Sequence, residues 1–192
     1  LGKLEDYLQT EWPELDVYLS SVTDHYATAS ICGPNSKKIL NKLIPDLDLS
    51  DESFPHMSFK NAKIDNIKCR IMRISFTGEH SYEINIQANY GEDLWRKCID
   101  AGEEFDITPY GTETMHLLRA EKGYVVIGQE TDGTVTPIDI NFTWMIGKKK
   151  KDFIGKRSLT RTDTIRSDRK QLVGIKPIDP NDIIEEGQHI IL

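Results

Sequence analysis

A short polar turn between two apolar strands carries the first candidate functional residue of this chain. Alternating apolar runs end at Phe76 and begin at Tyr82, and they flank Thr77–Ser81, with the sequence Thr-Gly-Glu-His-Ser. Glycine and short polar residues favour a hairpin turn. Because glycine lets a ligand approach the backbone closely, Glu79 is a candidate to bind a flat ligand; the alternative is a solvated turn acid.

A second candidate lies near the end of a helix predicted within Thr108–Tyr124, which Gly123 terminates. Arg119 falls in its last turn. There it complements the helix C-terminus or pairs with Glu121, or alternatively its guanidinium recognises a carboxylate. His116 has no second His, Cys or carboxylate four residues further on, so we predict no metal site on this helix.

Three predicted strands position the polar turn. Met57–Ile64 and Ile67–Phe76 form a hairpin through Asp65-Asn66, two residues that tolerate positive φ. The apolar residues change parity near Ile71-Met72, which predicts a β-bulge. A third strand from Tyr82 completes an antiparallel meander with one polar face.

Other elements are predicted on both sides of the meander. Helical spacing of leucines predicts a helix that stops before Pro13, and Asp16–Ser21 and Tyr26–Cys32 are predicted strands. A short helix follows at Ile39–Leu43, and a longer amphipathic helix spans Tyr90–Ala101. This element order predicts an α+β fold, with a ferredoxin-like split β-α-β arrangement in a domain of residues 1–146.

The region from residue 147 onward has a different character. Lys148–Lys151 either attract an anion or form a solvated face. Gln171–Lys176 is a predicted strand, and His189–Leu192 is predicted to end the chain on an unpaired strand. We therefore expect residues 147–192 to be the beginning of a truncated all-β domain of barrel or jelly-roll type.

The composition of the chain argues against several classes of protein. The chain has 192 residues, of which 38% are hydrophobic and 29% charged, and its apolar runs are too short for a membrane span. The net charge of -7 argues against a nucleic-acid partner. Cys32, Cys69 and Cys98 form no C-x-x-C pair, so we expect buried thiols in a reducing cytoplasm, with no zinc or disulfide. The absence of an initiator Met suggests a fragment.

Three motifs support a family resemblance. S-F-T-G-E-x-x-Y-E-I, L-R-A-E-K-G-Y and D-F-I-G-K-R-S-L together resemble the glycine cleavage T-protein (aminomethyltransferase) superfamily over nearly the whole chain. Further segments, among them L-Q-T-E-W-P-E-L, T-P-Y-G-T-E-T-M-H and I-G-Q-E-T-D-G-T-V-T-P, resemble the alpha-subunit family of heterotetrameric sarcosine oxidases.

The resemblance implies a folate site. The Glu of the family's Y-T-G-E motif hydrogen-bonds the pterin of tetrahydrofolate, and Glu79 matches it; the preceding family Tyr is Phe76 here, which keeps a packing role but loses the hydroxyl. Arg119 matches the family's L-R-L-E-A-G segment, and Tyr124 matches the E-K-G-Y form of its sarcosine and dimethylglycine enzymes; both are carried over as folate-binding. The family's acidic residue for methylene transfer has no counterpart, so no catalytic residue is expected in this chain.

The resemblance also implies a parent enzyme. We expect an oxidoreductase that demethylates sarcosine to glycine and passes the one-carbon unit to tetrahydrofolate, together with beta, gamma and delta subunits. FAD, FMN and NAD are expected elsewhere in that complex, because this chain has no G-x-G-x-x-G. The chain alone is expected to be inactive. The alternatives are a glycine cleavage aminomethyltransferase and a non-enzymatic folate-binding scaffold.

Overall fold

The computed structural model describes residues 1–185 and 187–189, and it separates into two compact units. The amino-terminal unit is Leu1–Tyr124 and the carboxy-terminal unit is Val125–Leu192. Each unit is described by itself below. The predicted division into domains of residues 1–146 and 147–192 remains a prediction.

The amino-terminal unit is a mixed α and β structure, which confirms the α+β class. Four antiparallel strands form one sheet in the order β1-β4-β3-β2. The strands are β1 (Tyr26–Cys32), β2 (Phe59–Ile64), β3 (Ile67–Met72) and β4 (Ser81–Gln87). The helices are α1 (Gly2–Thr10), α2 (Ser36–Leu43), α3 (Gly91–Gly102) and α4 (Thr112–Glu121).

The β2–β3–β4 meander follows the sequence pattern closely. Asp65 and Asn66, with φ of 46° and 69°, form the predicted tight turn between β2 and β3. The predicted bulge at Ile71-Met72 is wrong, since β3 pairs with β4 in unbroken register up to Met72 and ends there. The change of parity in the sequence marks the end of the strand, where the chain leaves for the polar turn.

The predicted ferredoxin-like arrangement is also wrong. A split β-α-β unit has one strand between the two strands that its helix joins. Here α2 joins β1 and β2, which lie at opposite edges of the sheet with β4 and β3 between them. The meander forms by short local connections, and β1 then adds to the free edge of β4.

One continuous apolar core stabilises the amino-terminal unit. Alternate residues of the strands face α2 and α3, and Leu40, Ile71, Tyr82 and Ile84 have no exposed surface. The predicted strand at Asp16–Ser21 does not form: these residues are exposed or half-buried, and β1 pairs with β4 alone among the described strands. Without a neighbouring strand, the backbone of this segment has no ladder to join.

The carboxy-terminal unit lacks the predicted strands within its described residues. Only an isolated bridge between Ile127 and Thr131 and two short 3-10 helices, Thr143–Met145 and Lys156–Thr160, occur there. Gln171–Lys176 has no strand pairing, so that prediction is wrong: an apolar run without a partner strand does not make a sheet. Most of the predicted strand His189–Leu192 lies outside the described residues.

No helix in the described part of the chain is long and apolar enough to cross a membrane.

Candidate functional site

The polar turn is held against the rest of the sheet by its backbone. The carbonyl of His80 accepts hydrogen bonds from the Gly33 amide and from the Ser36 hydroxyl, both at 2.9 Å. Gly78 has φ of +77°, a conformation that glycine adopts without strain. The loop after β1 and the turn before β4 therefore fix one another, and Glu79 projects from a well-anchored turn.

His80 and Tyr82 extend this anchoring into the core. His80 Nε2 lies 3.0 Å from the Tyr82 hydroxyl, and Tyr82 is fully buried. Burial lowers the pKa of His80, and the nearby Arg73 charge lowers it further. Burial also raises the pKa of Tyr82. Both groups are therefore neutral near pH 7, which suits a structural role beneath the turn.

The turn meets α4 at two points. The Phe76 ring contacts His116 edge to face, with 6.2 Å between ring centroids. Glu79 Oε1 lies 3.8 Å from Lys122 Nζ, the residue that caps the C-terminus of α4. The polar turn and the C-terminal part of α4 are distant in the sequence, and each was predicted independently to carry a functional residue. In the structure they form one local surface.

Arg119 lies in the last turn of α4, and Tyr124 follows the end of that helix. Two hydrogen bonds join these residues. Arg119 is only 4% exposed, and its Nη1 donates to the Tyr124 carbonyl at 3.1 Å. The Tyr124 amide donates to the Arg119 carbonyl at 2.9 Å. Gly123, with φ of +72°, makes the reversal between them and ends the helix as predicted. The Tyr124 side chain is 45% exposed.

A cavity of about 640 Å³ lies beside Glu79 within the amino-terminal unit. This volume is in the range of roughly 300–1,000 Å³ that is typical of small-molecule sites. Its walls come from β1 and the loop that follows it, from α2 and α3, from the segment between α3 and α4, and from α4. Large side chains line it, including Trp95, Tyr110, Met115 and Leu118. Of the four residues predicted to bind folate, Glu79 lines this cavity, and Phe76, Arg119 and Tyr124 lie outside its lining.

Cys32 and Tyr110 form a polar contact in the cavity wall. The Cys32 thiol lies 3.1 Å from the Tyr110 hydroxyl. Burial and this hydrogen bond raise the pKa of Tyr110 to about 12, so the phenol stays protonated near neutral pH. Cys69 and Cys98 are buried as predicted, whereas Cys32 is half-buried. Sequence reasoning did not select Tyr110, although it stands in the quoted T-P-Y-G-T segment.

The site offers binding chemistry. It presents one carboxylate at the edge of an apolar, partly aromatic cavity, which suits a flat ligand with an edge of hydrogen-bond donors. Among the described residues, no group of three or more His, Cys, Asp or Glu side chains is placed to hold a metal ion.

The fold and site thus define an α+β domain with a small-molecule cavity beside a conformationally constrained turn. The chain belongs to the GCVT N-terminal domain family, which matches residues 1–150.

Curated relatives extend this similarity to the whole chain. The chain is 50% identical, over all 192 residues, to sarcosine oxidase subunit alpha of Corynebacterium sp. (strain U-96), of which it covers 20%. It is 40% identical to sarcosine oxidase subunit alpha of Rhizobium meliloti (strain 1021), covering 19% of that protein. Aminomethyltransferase of Thermoanaerobacter sp. (strain X514) is 34% identical over 176 residues, which is 91% of this chain and 46% of the relative. The chain therefore spans about a fifth of the length of the sarcosine oxidase subunits that it matches.

Proposed function

We propose that this chain is part of a sarcosine oxidase alpha subunit and contributes to its tetrahydrofolate pocket. The longer protein would oxidatively demethylate sarcosine to glycine and transfer the one-carbon unit to tetrahydrofolate. The 50% identity over the full chain to a sarcosine oxidase subunit supports this assignment, as does membership of a family shared with aminomethyltransferases.

The position of Glu79 is the observation that carries the proposal. Its carboxylate is 40% exposed and lines the cavity of the amino-terminal unit. An ionised carboxylate accepts two parallel hydrogen bonds from a planar pair of N–H donors, such as the amino-pyrimidine edge of a pterin. The apolar cavity walls would receive the rings of the ligand. Charge, shape and polarity at this place all suit a reduced folate.

The other three predicted residues have different proposed roles. Phe76 is 44% exposed and its ring is held by His116, so we assign it a packing contact with the ligand. Arg119 is buried and donates to the backbone of Tyr124, so its contribution would be to fix the position of Tyr124. The half-exposed Tyr124 ring, which lies outside the cavity lining, would then contact a part of the ligand that extends beyond the cavity.

The rest of the assembly belongs to the same proposal. Beta, gamma and delta subunits would complete the oxidase, and FAD, FMN and NAD would bind outside this chain. The region after residue 146 would open the second domain of the longer protein. The second candidate function is aminomethyl transfer as in glycine cleavage, favoured by the 34% identity to an aminomethyltransferase over 91% of the chain.

A substitution of Glu79 in the complete enzyme tests the proposal. Glu79→Gln keeps the shape of the side chain but removes its charge and one acceptor oxygen. Loss of a charge-assisted hydrogen bond costs about 1.5–3 kcal/mol, so tetrahydrofolate should bind roughly ten- to a hundredfold more weakly. Flavin reduction by sarcosine should change little, because oxidation and one-carbon transfer would use separate sites.

Glu52→Gln is the matched control, since Glu52 is an exposed loop residue of the same unit. The affinity of the Glu52→Gln enzyme for tetrahydrofolate, measured by anaerobic titration, should equal that of the wild type. Equal affinities of Glu79→Gln and wild type would refute the role of Glu79. Loss of sarcosine-dependent flavin reduction in Glu79→Gln would refute the separation of the two sites.

A further inference from the structure

Lys122 lies across the glycine of the polar turn. A Cβ atom at Gly78 would overlap Lys122 Cγ and would come within 3.0 Å of Lys122 Cβ and 3.2 Å of Lys122 Cδ. The hydrocarbon part of the lysine side chain therefore packs directly against the Gly78 backbone. This contact exists because residue 78 has no side chain, and it joins the C-terminus of α4 to the turn.

The same side chain ends beside the Glu79 carboxylate. Lys122 Nζ lies 3.8 Å from Glu79 Oε1, with both side chains about half exposed. The ammonium group approaches one carboxylate oxygen, and a carboxylate has further lone pairs for other donors. A ligand in the cavity can thus share Glu79 with Lys122, because the cation does not occupy the whole acceptor group.

We propose that Lys122 is a positioning residue that holds the Glu79 carboxylate towards the cavity, ready to accept a ligand with paired N–H donors. Its apolar part fixes the turn through Gly78, and its charge restricts the orientation of Glu79. This inference rests on the proposed folate-binding function of Glu79. Lys122 contacts Glu79 but does not line the cavity, so its charge would affect the ligand through Glu79.

The two parts of the lysine side chain can be separated by substitution. Lys122→Met keeps an unbranched apolar chain against Gly78 and removes the charge, whereas Lys122→Arg keeps both. A purely structural role predicts that Lys122→Met behaves as wild type. A positioning role predicts weaker ligand binding for Lys122→Met and recovery for Lys122→Arg.

The experiment is a double-mutant cycle of Lys122→Met and Glu79→Gln in the complete enzyme, with tetrahydrofolate as the ligand. Lys122→Met should weaken binding about two- to fivefold, as expected for one half-exposed ion pair. The effect should be absent in the Glu79→Gln background and should shrink at high salt, which screens exposed charges. Thermal unfolding of each variant checks that the fold is retained.

The outcomes separate this inference from the function on which it rests. If Glu79→Gln weakens binding but Lys122→Met does not, or weakens it equally in both backgrounds, Lys122 is not a positioning residue and the folate role of Glu79 stands. If Lys122→Met tightens binding, the lysine competes with the ligand, and the inference is overturned. If Glu79→Gln itself has no effect, the proposed function and the inference both fail.

Discussion

The two units of this chain are stabilised in different ways. The amino-terminal unit contains all four described strands and a core of fifteen buried apolar residues. In the described part of the carboxy-terminal unit, Ile140 is the one buried hydrophobic residue. A sheet pairs its backbone internally and buries alternate side chains, so it concentrates apolar area in a way that irregular segments do not.

The carboxy-terminal unit is organised instead around one arginine. Arg169 donates to both carboxylate oxygens of Asp139, at 2.8 and 2.7 Å, and to Asp163 Oδ2 at 2.7 Å. It also donates to the Thr134 carbonyl at 2.9 Å. Arg169 and these three partners, here called the arginine hub, hold the loops in position through hydrogen bonds and ion pairs. They supply little of the hydrophobic stabilisation that a buried apolar core provides. We therefore expect the carboxy-terminal unit to unfold locally at a lower free-energy cost than the sheet of the amino-terminal unit.

Amide hydrogen exchange should show the largest difference between the units. Strand β4 is hydrogen-bonded to β1 on one side and to β3 on the other. Among the amides of Gln171–Lys176, Leu172 alone donates a backbone hydrogen bond, to the Asp139 carbonyl. We expect the remaining amides of this segment to exchange about a thousandfold faster than those of β4, or more. Comparable slow exchange in a monomeric sample would mean that the carboxy-terminal unit is as stable as the sheet.

Truncation of a buried side chain should destabilise the amino-terminal unit far more than truncation of an exposed one in the carboxy-terminal unit. Ile84 has no exposed surface in the centre of the sheet, so Ile84→Ala should lower the free energy of unfolding by about 2–5 kcal/mol. Ile154 of the carboxy-terminal unit is 70% exposed, and Ile154→Ala should change it by less than about 0.5 kcal/mol. Urea denaturation measures both. Equal losses would contradict the assignment of the core to one unit.

The arginine hub should give the carboxy-terminal unit an acid-sensitive stability. Hydrogen bonds from Arg169, and then from Thr136, hold the pKa of Asp139 below its usual range. Because the folded pKa is the lower one, this stabilisation is present above the unfolded pKa of about 3.9 and is lost as pH falls below it. Asp139→Asn should therefore lower the melting temperature at pH 7, and its difference from wild type should shrink below about pH 4.

The exposed Asp182 provides the control for this pH dependence. Asp182→Asn should follow the wild-type melting curve across the same pH range. A melting temperature of Asp139→Asn that runs parallel to wild type down to acid pH would show that the hub does not contribute through the charge of Asp139.

Two glycines of the amino-terminal unit should differ slightly in the loss of stability that follows substitution by alanine. Gly78 and Gly123 both have positive φ, +77° and +72°, but an added Cβ overlaps Lys122 only at Gly78. Gly123→Ala should cost about 1–2 kcal/mol from backbone strain, and Gly78→Ala should cost more by the displacement of Lys122. Thermal unfolding of both variants checks this. Equal losses would mean that Lys122 moves aside freely.

Local patterns in the sequence predicted much of the amino-terminal unit. Alternation and the Asp65-Asn66 pair identified the meander, because side-chain period and turn geometry are properties of a few neighbouring residues. Motifs in the turn and in α4 predicted the family. The same local reasoning failed for Asp16–Ser21 and Gln171–Lys176, since a strand also requires a partner that local pattern does not specify.

The α+β class, the positions of the main helices and the candidate role of Glu79 all follow from patterns in the amino-acid sequence. Three other features became visible in the folded chain: β1 joins β4 at the edge of the sheet, Tyr110 lines a cavity with Glu79, and Lys122 packs on Gly78. These three features depend on contacts between residues far apart in the chain. Such contacts are settled by the packing of the whole unit, where loop closure and burial outweigh local preference.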